Sequence, residues 1–546
     1  MIAVTPPSSV RSARLRRRRR SRSIVGVAVL IAALAASAPS AAVEGPAPAP
    51  AGARRPNILV IFSDDHGWAD LGIQGVDGDV RTPHLDALAR DGVRFTRGYV
   101  TAPQCVPSRA ALLTGRYQQR FGVEDNGKGP LPLAEVTIAE RLKAAGYVTG
   151  QVGKWHLDIE SEKPEGQGAG KAADTGAAAR AGGPAATRSA RKAEKGMRVL
   201  PEHMPHRQGF DEFWRGERRE FYASHDLSGR PYADVPHAVV DARFRVEVQT
   251  EAALAFLDRR AAEADRPWFL YLAWYAPHVP LEPAEPWFSR TPAHLPPERR
   301  QALAMIAAMD DGLGRIRERL AAMGADRDTL IVFIGDNGAP LGRSWNGSLN
   351  GPLAGQKGMV TEGGIRTPFL AAWPGTLPAN TIDDRPVSSL DVAATAVAAA
   401  GLATDGGGGD RLDGVNLLPF LAGDAAATAA PHDALYWRWG AQAAVLEMPW
   451  KLIVLGDRPP LLFDVSDPAG EQAAREQSAK HPDVVARLDK KLRAWAAALE
   501  PPGLETTATA FGRHHEQLFV EHGVMPPAEA PAPARGRRGV NRRGPQ

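Results

Sequence analysis

The sequence predicts an α/β fold, a large and mainly parallel sheet flanked by helices, with a smaller C-terminal antiparallel sheet and helix. Three observations carry this. Short apolar runs alternate with helical patterns over most of the 546 residues, as expected of strands buried on both faces and joined by crossover helices. Polar residues follow these runs at once, the place where open parallel sheets bind ligands. From Leu435 the texture changes to closely spaced strand-like pieces, which pair as antiparallel neighbours.

In chain order, residues 1–42 read as a signal peptide. Eight arginines between Arg11 and Arg22 precede thirteen apolar or small residues, Ile24 to Ala36, and Ala36-Ser37-Ala38 follows. The apolar run falls short of the ~20 residues a membrane span requires, so the expectation is export to the periplasm or exterior with no stable membrane span. Arginine pairs without a fuller twin-arginine motif leave the route open. Residues 43–56 form a Pro/Ala-rich linker, and the main domain covers 57–425.

Within that domain, Ile58 to Phe62, Tyr147 to Val152, Trp268 to Tyr275 and Leu330 to Ile334 read as strands. Leu85 to Ala89, Ile138 to Ala145, Ala252 to Leu257 and Ala302 to Leu320 read as helices. Pro107 suits a first helical turn, Ser108 to Leu113 continue it, and Gly115 stops it. Residues 161–196, dense in Ala, Gly and Lys, are a low-complexity insertion outside the core. Gly406 to Gly409 is a loop. The C-terminal subdomain, 426–505, contributes Leu435 to Trp439, Ala443 to Leu446, Lys451 to Leu455 and Leu461 to Phe463 as strands, then a helix near Val484 to Leu499. Residues 506–546 are expected to be a largely disordered tail.

The net charge of +4 hides an acidic body: without the eight arginines of the leader and the five between Arg535 and Arg543, residues 44–534 carry −9. That sign argues against a general nucleic-acid surface. A single cysteine, Cys105, excludes any intrachain disulfide.

The polar clusters after the strands are Asp64-Asp65-His66, Gly153-Lys154-Trp155-His156, Pro277-His278 and Asp336-Asn337-Gly338. Asp64, Asp65, Asp336 and Asn337 offer only hard oxygen ligands, and three carboxylates brought together need a counter-charge. Calcium or magnesium suits such a set better than zinc. Asp pairs and Asp-Asn-Gly also form ordinary turns, but their place after buried strands favours a site. Cys105 lies at the predicted helix start, where partial positive charge and free N–H groups stabilise an anion, with Arg109 one turn on. A tyrosine-phosphatase loop would need its arginine six places after the cysteine, and position 111 is Ala111.

Cys105-Val106-Pro107-Ser108-Arg109, continued by Leu113-Thr114-Gly115-Arg116, resembles the type I sulfatase signature C-x-P-S-R-x-x-x-L-T-G-R. Gly146 to His156 resembles the second signature of the family. Further likeness runs through Gly209-Phe210-Asp211, Met309-Asp310-Asp311-Gly312, Glu362 to Phe369 and Leu412-Asp413-Gly414, covering roughly residues 56–475. The resemblance implies an alkaline-phosphatase-like fold and an arylsulfatase-like hydrolase of aryl or carbohydrate sulfates. It implies that a formylglycine-generating enzyme oxidises Cys105 to formylglycine, whose hydrate is the nucleophile. A calcium ion, or magnesium in its place, would be held by Asp64, Asp65, Asp336, Asn337 and residue 105. Gly335 stands where the family more often has Ser or Thr, which removes no ligand.

The same resemblance assigns roles. Arg109, Lys154 and Lys357 balance the sulfate charge with the cation, and His278 protonates the leaving alcohol. One diol hydroxyl attacks sulfur, assisted by Asp336. His156 then deprotonates the other hydroxyl, so the carbonyl re-forms and sulfate leaves. Two other readings stay open at this level: a phosphonate or phosphate ester hydrolase of the same superfamily, and an inactive binding protein on a sulfatase fold.

Overall fold

The computed structural model describes residues 55–161, 197–405, 411–422, 429–501 and 509–527. The expected signal peptide, most of the linker, the insertion from 162 to 196, the glycine loop Gly406 to Gly409 and the chain beyond 527 lie outside them.

Ten strands form the main sheet, and the central five are parallel. These are, across the sheet, Thr329–Gly335, Asn57–Asp64, Trp268–Pro277, Val148–Gly153 and Glu212–Gly216. Beyond Thr329–Gly335 lie Phe369–Ala372 and Val93–Phe95, joined antiparallel, and then Thr381–Asp383. Beyond Glu212–Gly216 lie the antiparallel Glu220–Ala223 and His237–Val240. The apolar runs sit at the centre because both their faces are covered. Ile58, Val60, Phe62, Phe269, Tyr271, Val332 and Ile334 enter one core, and Leu59, Ile61, Leu270, Leu272, Trp274, Ile331 and Phe333 the other. Each fully buried side chain of this kind contributes roughly 1.5–3 kcal/mol.

Helices cover the two faces separately. Cys105–Thr114 packs in the first core through Val106, Ala110 and Leu113, and Gly115 ends it at φ 65°, its N–H bonding the Ala111 carbonyl. Ile138–Ala144, opened by a Thr137/Glu140 capping box, joins the same core. Arg245–Ala261 and Pro297–Ala322 cover the second, through residues such as Val248, Phe256, Met305 and Ile316. Leu85 to Ala89 falls within the helix Pro83–Arg90.

The C-terminal sheet is antiparallel in the order Leu435–Trp439, Gln442–Glu447, Trp450–Leu455, Leu461–Asp464, with the helix Pro482–Ala497 against it. Buried Lys451 joins this sheet to the main body, 2.9 Å from both Glu362 and Glu471. The expected tail from 506 is corrected over part of its length. Ala510–Glu521 is a helix with His515, Leu518 and Phe519 buried. At 12 residues the helix is marginal on its own and depends on docking these buried residues.

Candidate active site

The carboxyl ends of four central strands deliver the polar clusters to one place. Asp64 closes its strand and Asp65 follows it; Lys154, His278 and Asp336 each directly follow theirs. Cys105 enters from the first face as the opening residue of its helix. Gly338 lets the Asp336-Asn337 turn close, because a Cβ there would lie 1.8 Å from the Gly363 carbonyl oxygen. Thr367 fills the space beside Gly335, where a Cβ would stand 3.2 Å from its own Cβ. Asn346 ties two strand ends together, its amide donating to the carbonyls of Asp65 at 3.0 Å and Pro277 at 3.3 Å.

Cations and carboxylates alternate around the cysteine. Lys154 Nζ lies 2.6 Å from Asp64, and Arg109 lies 2.8 Å from Asp336 and 3.5 Å from Asp64. Lys357 Nζ lies 2.5 Å from Asp65 and 3.3 Å from the Cys105 sulfur. Asn337 donates to Asp65 at 2.7 Å, and His278 Nε2 is 3.6 Å from Asp65. Asp64, Asp65, Asp336, Asn337, Cys105, Arg109 and Lys154 are buried, while the side chains of His278 and Lys357 keep 20% and 15% of their exposure. Access from solvent is therefore on the side of the last two.

This packing moves protonation equilibria. Burial pushes the Asp64 carboxyl up, but Lys154, His278 and Arg109 outweigh it and hold it well below the usual range. Burial and the Asp64 charge push Asp336 up to about 6. Burial and the Asp336 charge push the Cys105 thiol up, so an unmodified thiolate is disfavoured here. Burial holds His278 down to about 4 against the pull of Asp65 and Asp64. Burial and the Lys154 charge hold His156 well below its ordinary value. His278 Nδ1 faces the Val279 carbonyl oxygen at 2.7 Å. A carbonyl only accepts, so Nδ1 carries hydrogen and Nε2 is the exchangeable nitrogen.

Two observations bear on a cation. The Asn337 Oδ1 is buried without a hydrogen-bond partner, and ligand atoms of Asp64, Asp65, Cys105 and His278 all lie within 4.8 Å of one another. With Asp336 beside them, the hard oxygen donors fit calcium or magnesium. Asp65 and His156 also hold left-handed backbone, at φ 57° and 61°. Such strained residues concentrate at functional sites.

Asp64, Asp65, Cys105, Arg109, Lys154, His278, Asp336, Asn337 and Lys357 are gathered here by direct contacts, and His156 follows Lys154 by two residues, close enough to feel its charge. The expected anion cradle of backbone N–H groups is not found at the helix start: the Val106 N–H donates to Asn126 Oδ1 at 3.0 Å, Pro107 has none, and the Ser108 N–H donates to the Gln104 carbonyl. Positive charge at the site comes from side chains instead. Sequence reasoning missed Asn126, Asn346 and Arg245, whose partners include main-chain atoms brought near only by folding. No linear spacing marks them.

The arrangement and the fold define a member of the alkaline-phosphatase-like hydrolases. The chain belongs to the sulfatase family, whose model matches residues 56–402, and it is an enzyme of that family. It is 31% identical over 427 residues to N-acetylgalactosamine-6-sulfatase of Canis lupus familiaris, covering 70% of this chain and 72% of the relative. It is 35% identical over 402 residues to arylsulfatase A of Homo sapiens, covering 68% of each. Among solved structures it resembles Ps i-CgsB in complex with k-i-k-neocarrahexaose, with a TM-score of 0.67, 27% identity, and coverage of 85% of this chain and 98% of that one. Among the described residues, no helix is long and apolar enough to cross a membrane.

Proposed function

We propose that this protein hydrolyses sulfate monoesters of aryl or carbohydrate alcohols through residue 105, after a formylglycine-generating enzyme has converted Cys105. The observation that carries the reading is the convergence of three buried or half-buried cations and three carboxylates on the single cysteine, with Lys357 3.3 Å from its sulfur. The upward push on the thiol supports a precursor role rather than thiolate chemistry. The names of the relatives, together with the oligosaccharide in the Ps i-CgsB structure, favour a sulfated carbohydrate.

When present, the divalent cation supplies positive charge against the sulfate oxygens, and formylglycine supplies the attacking hydroxyl. The chain's own residues do the rest. Arg109, Lys154 and Lys357 offset the charge that develops on the sulfate and the leaving oxygen, in a pocket where reduced solvent screening strengthens each contact. His278, neutral at rest with its hydrogen on Nδ1, first takes up a proton at Nε2 as the anionic substrate binds, and then donates it to the departing alcohol. His156, held neutral by burial and by Lys154, accepts the proton whose loss releases sulfate. We propose further that the chain works outside the cytoplasm after its leader is cleaved; N-terminal sequencing of the exported protein checks this.

The deciding experiment pairs peptide mass spectrometry at residue 105 with turnover of matched sulfate, phosphate and phosphonate esters. Formylglycine and faster sulfate turnover are expected. Preference for phosphonate esters would overturn the choice of substrate, and no turnover by fully converted protein would favour a binding role.

A further inference from the structure

We propose that Arg245 is the positioning residue for His278: it clamps the backbone around that histidine from the opposite face of the sheet, and turnover depends on it through His278. The inference rests on the reading of His278 as the leaving-group acid. Arg245 opens the helix Arg245–Ala261, which packs in the second core, away from the Cys105 helix. Its side chain is fully buried, yet among the described residues the one carboxylate it pairs with directly is Glu282, at 2.9 Å and itself 32% exposed. The other acceptors are main-chain carbonyls of the segment bearing His278. Nε donates to Tyr275 at 3.0 Å, and Nη2 donates to His278 at 2.6 Å and Pro280 at 2.8 Å.

One guanidinium thus holds carbonyls before, at and after the histidine. Its planar fork can span them; a lysine, with one compact ammonium, cannot match that geometry. A second route runs through a ring. The guanidinium lies 4.8 Å from the Tyr275 ring centre, and that ring stacks on the His278 imidazole at 4.7 Å and 26°. Gln249, one turn further along the same helix face, accepts from the Tyr275 N–H and donates to the Gly216 carbonyl, both at 3.2 Å.

His278 needs such support because little else holds it. Its ring is partly exposed, its Nδ1 bonds the adjacent Val279 carbonyl, and Asp65 stands 3.6 Å away. Proton transfer is steep in distance and angle, and a displacement of about 1 Å can cost on the order of 100-fold in rate.

The test is a double-mutant cycle of Arg245→Met and His278→Ala in fully converted, metal-loaded enzyme, with aryl sulfates spanning a range of leaving-group pKa. Arg245→Met is expected to lower kcat by about 100-fold on poor leaving groups and far less on activated ones. The double variant is expected to be no slower than His278→Ala alone. If Arg245→Met does not fold, Arg245→Lys takes its place in the cycle, with a several-fold loss expected. Multiplying losses, or an unimpaired Arg245 variant, would overturn the proposal. Should His278→Ala show no leaving-group dependence while the cycle remains non-multiplicative, the acid reading fails and the positioning by Arg245 stands.

Discussion

The ammonium nitrogen of Lys357 lies 3.3 Å from the sulfur of Cys105. It also contacts Asp65, so one side chain bridges the nucleophile position and the acidic cluster. Burial works against this charge, but Asp65, Cys105 and Asp64 hold the ammonium well above its ordinary range. It is therefore a fixed positive charge on the solvent side of the site. Replacing it with an uncharged chain of similar length, Lys357→Met, is expected to lower kcat/KM on an aryl sulfate by about 100-fold or more, the usual cost of losing one preorganised donor. Steady-state kinetics on protein with matched formylglycine content measures this, and a loss under about tenfold would count against the role. Cys105→Ala is expected to abolish turnover altogether.

The carboxylates of Asp64, Asp65 and Asp336 stand together with an unpartnered Asn337 oxygen. A hard cation satisfies both the repulsion and the orphan acceptor. Rigorous chelation is expected to remove about one calcium or magnesium per chain, abolish turnover, and lower the melting temperature; calcium is expected to restore both. Metal analysis and thermal denaturation check this without reference to substrate. Full activity with no retained metal would remove the site from the mechanism.

The two histidines are expected to fail differently. His278→Ala should slow esters of poorly acidic alcohols far more than activated aryl sulfates, since a stable phenolate needs little protonation. His156→Ala should release one equivalent of alcohol rapidly and then stall with sulfate retained on the protein. Rapid-quench kinetics with intact-protein mass measurement distinguishes the two. Identical behaviour of both variants would dissolve the division of labour.

Much of this site was legible because its residues fall in contiguous motifs or directly behind apolar runs. Asp64, Lys154, His278 and Asp336 could be placed at strand ends from the runs alone, since a parallel sheet brings all its carboxyl ends to one edge. What folding added is of another kind. Asn126 caps the Cys105 helix from twenty residues away, and Arg245 reads main-chain carbonyls that have no signature in side-chain identity. The helix start looked ready to cradle an anion, yet Asn126 and Gln104 take the N–H groups of Val106 and Ser108. Tertiary partners decide such details, and a linear pattern does not record them. The helix Ala510–Glu521 is hidden for a converse reason: at 12 residues it is marginal alone, and its stability comes from docking His515, Leu518 and Phe519.

That docking carries a pH dependence through His515. The ring is buried, stacked on Trp439 at 4.5 Å, with Nδ1 accepting from the Ala441 N–H and Nε2 without a partner. Burial, aided by neighbouring His514, holds it down to about 3 from an ordinary 6.5. The unfolded chain therefore takes up a proton near 6.5 that the folded chain refuses until near 3. The contribution of the neutral ring is complete above 6.5 and is lost progressively as pH falls toward 3. His515→Leu, which cannot be protonated, is expected to flatten the acid limb of stability relative to the parent between those limits, by the linkage relation. Denaturant unfolding at a series of pH values measures the difference, with Trp439 fluorescence as a local reporter and hydrogen exchange over 510–521 following release of the helix. Parallel acid limbs for parent and variant would show that His515 does not hold the helix in this way.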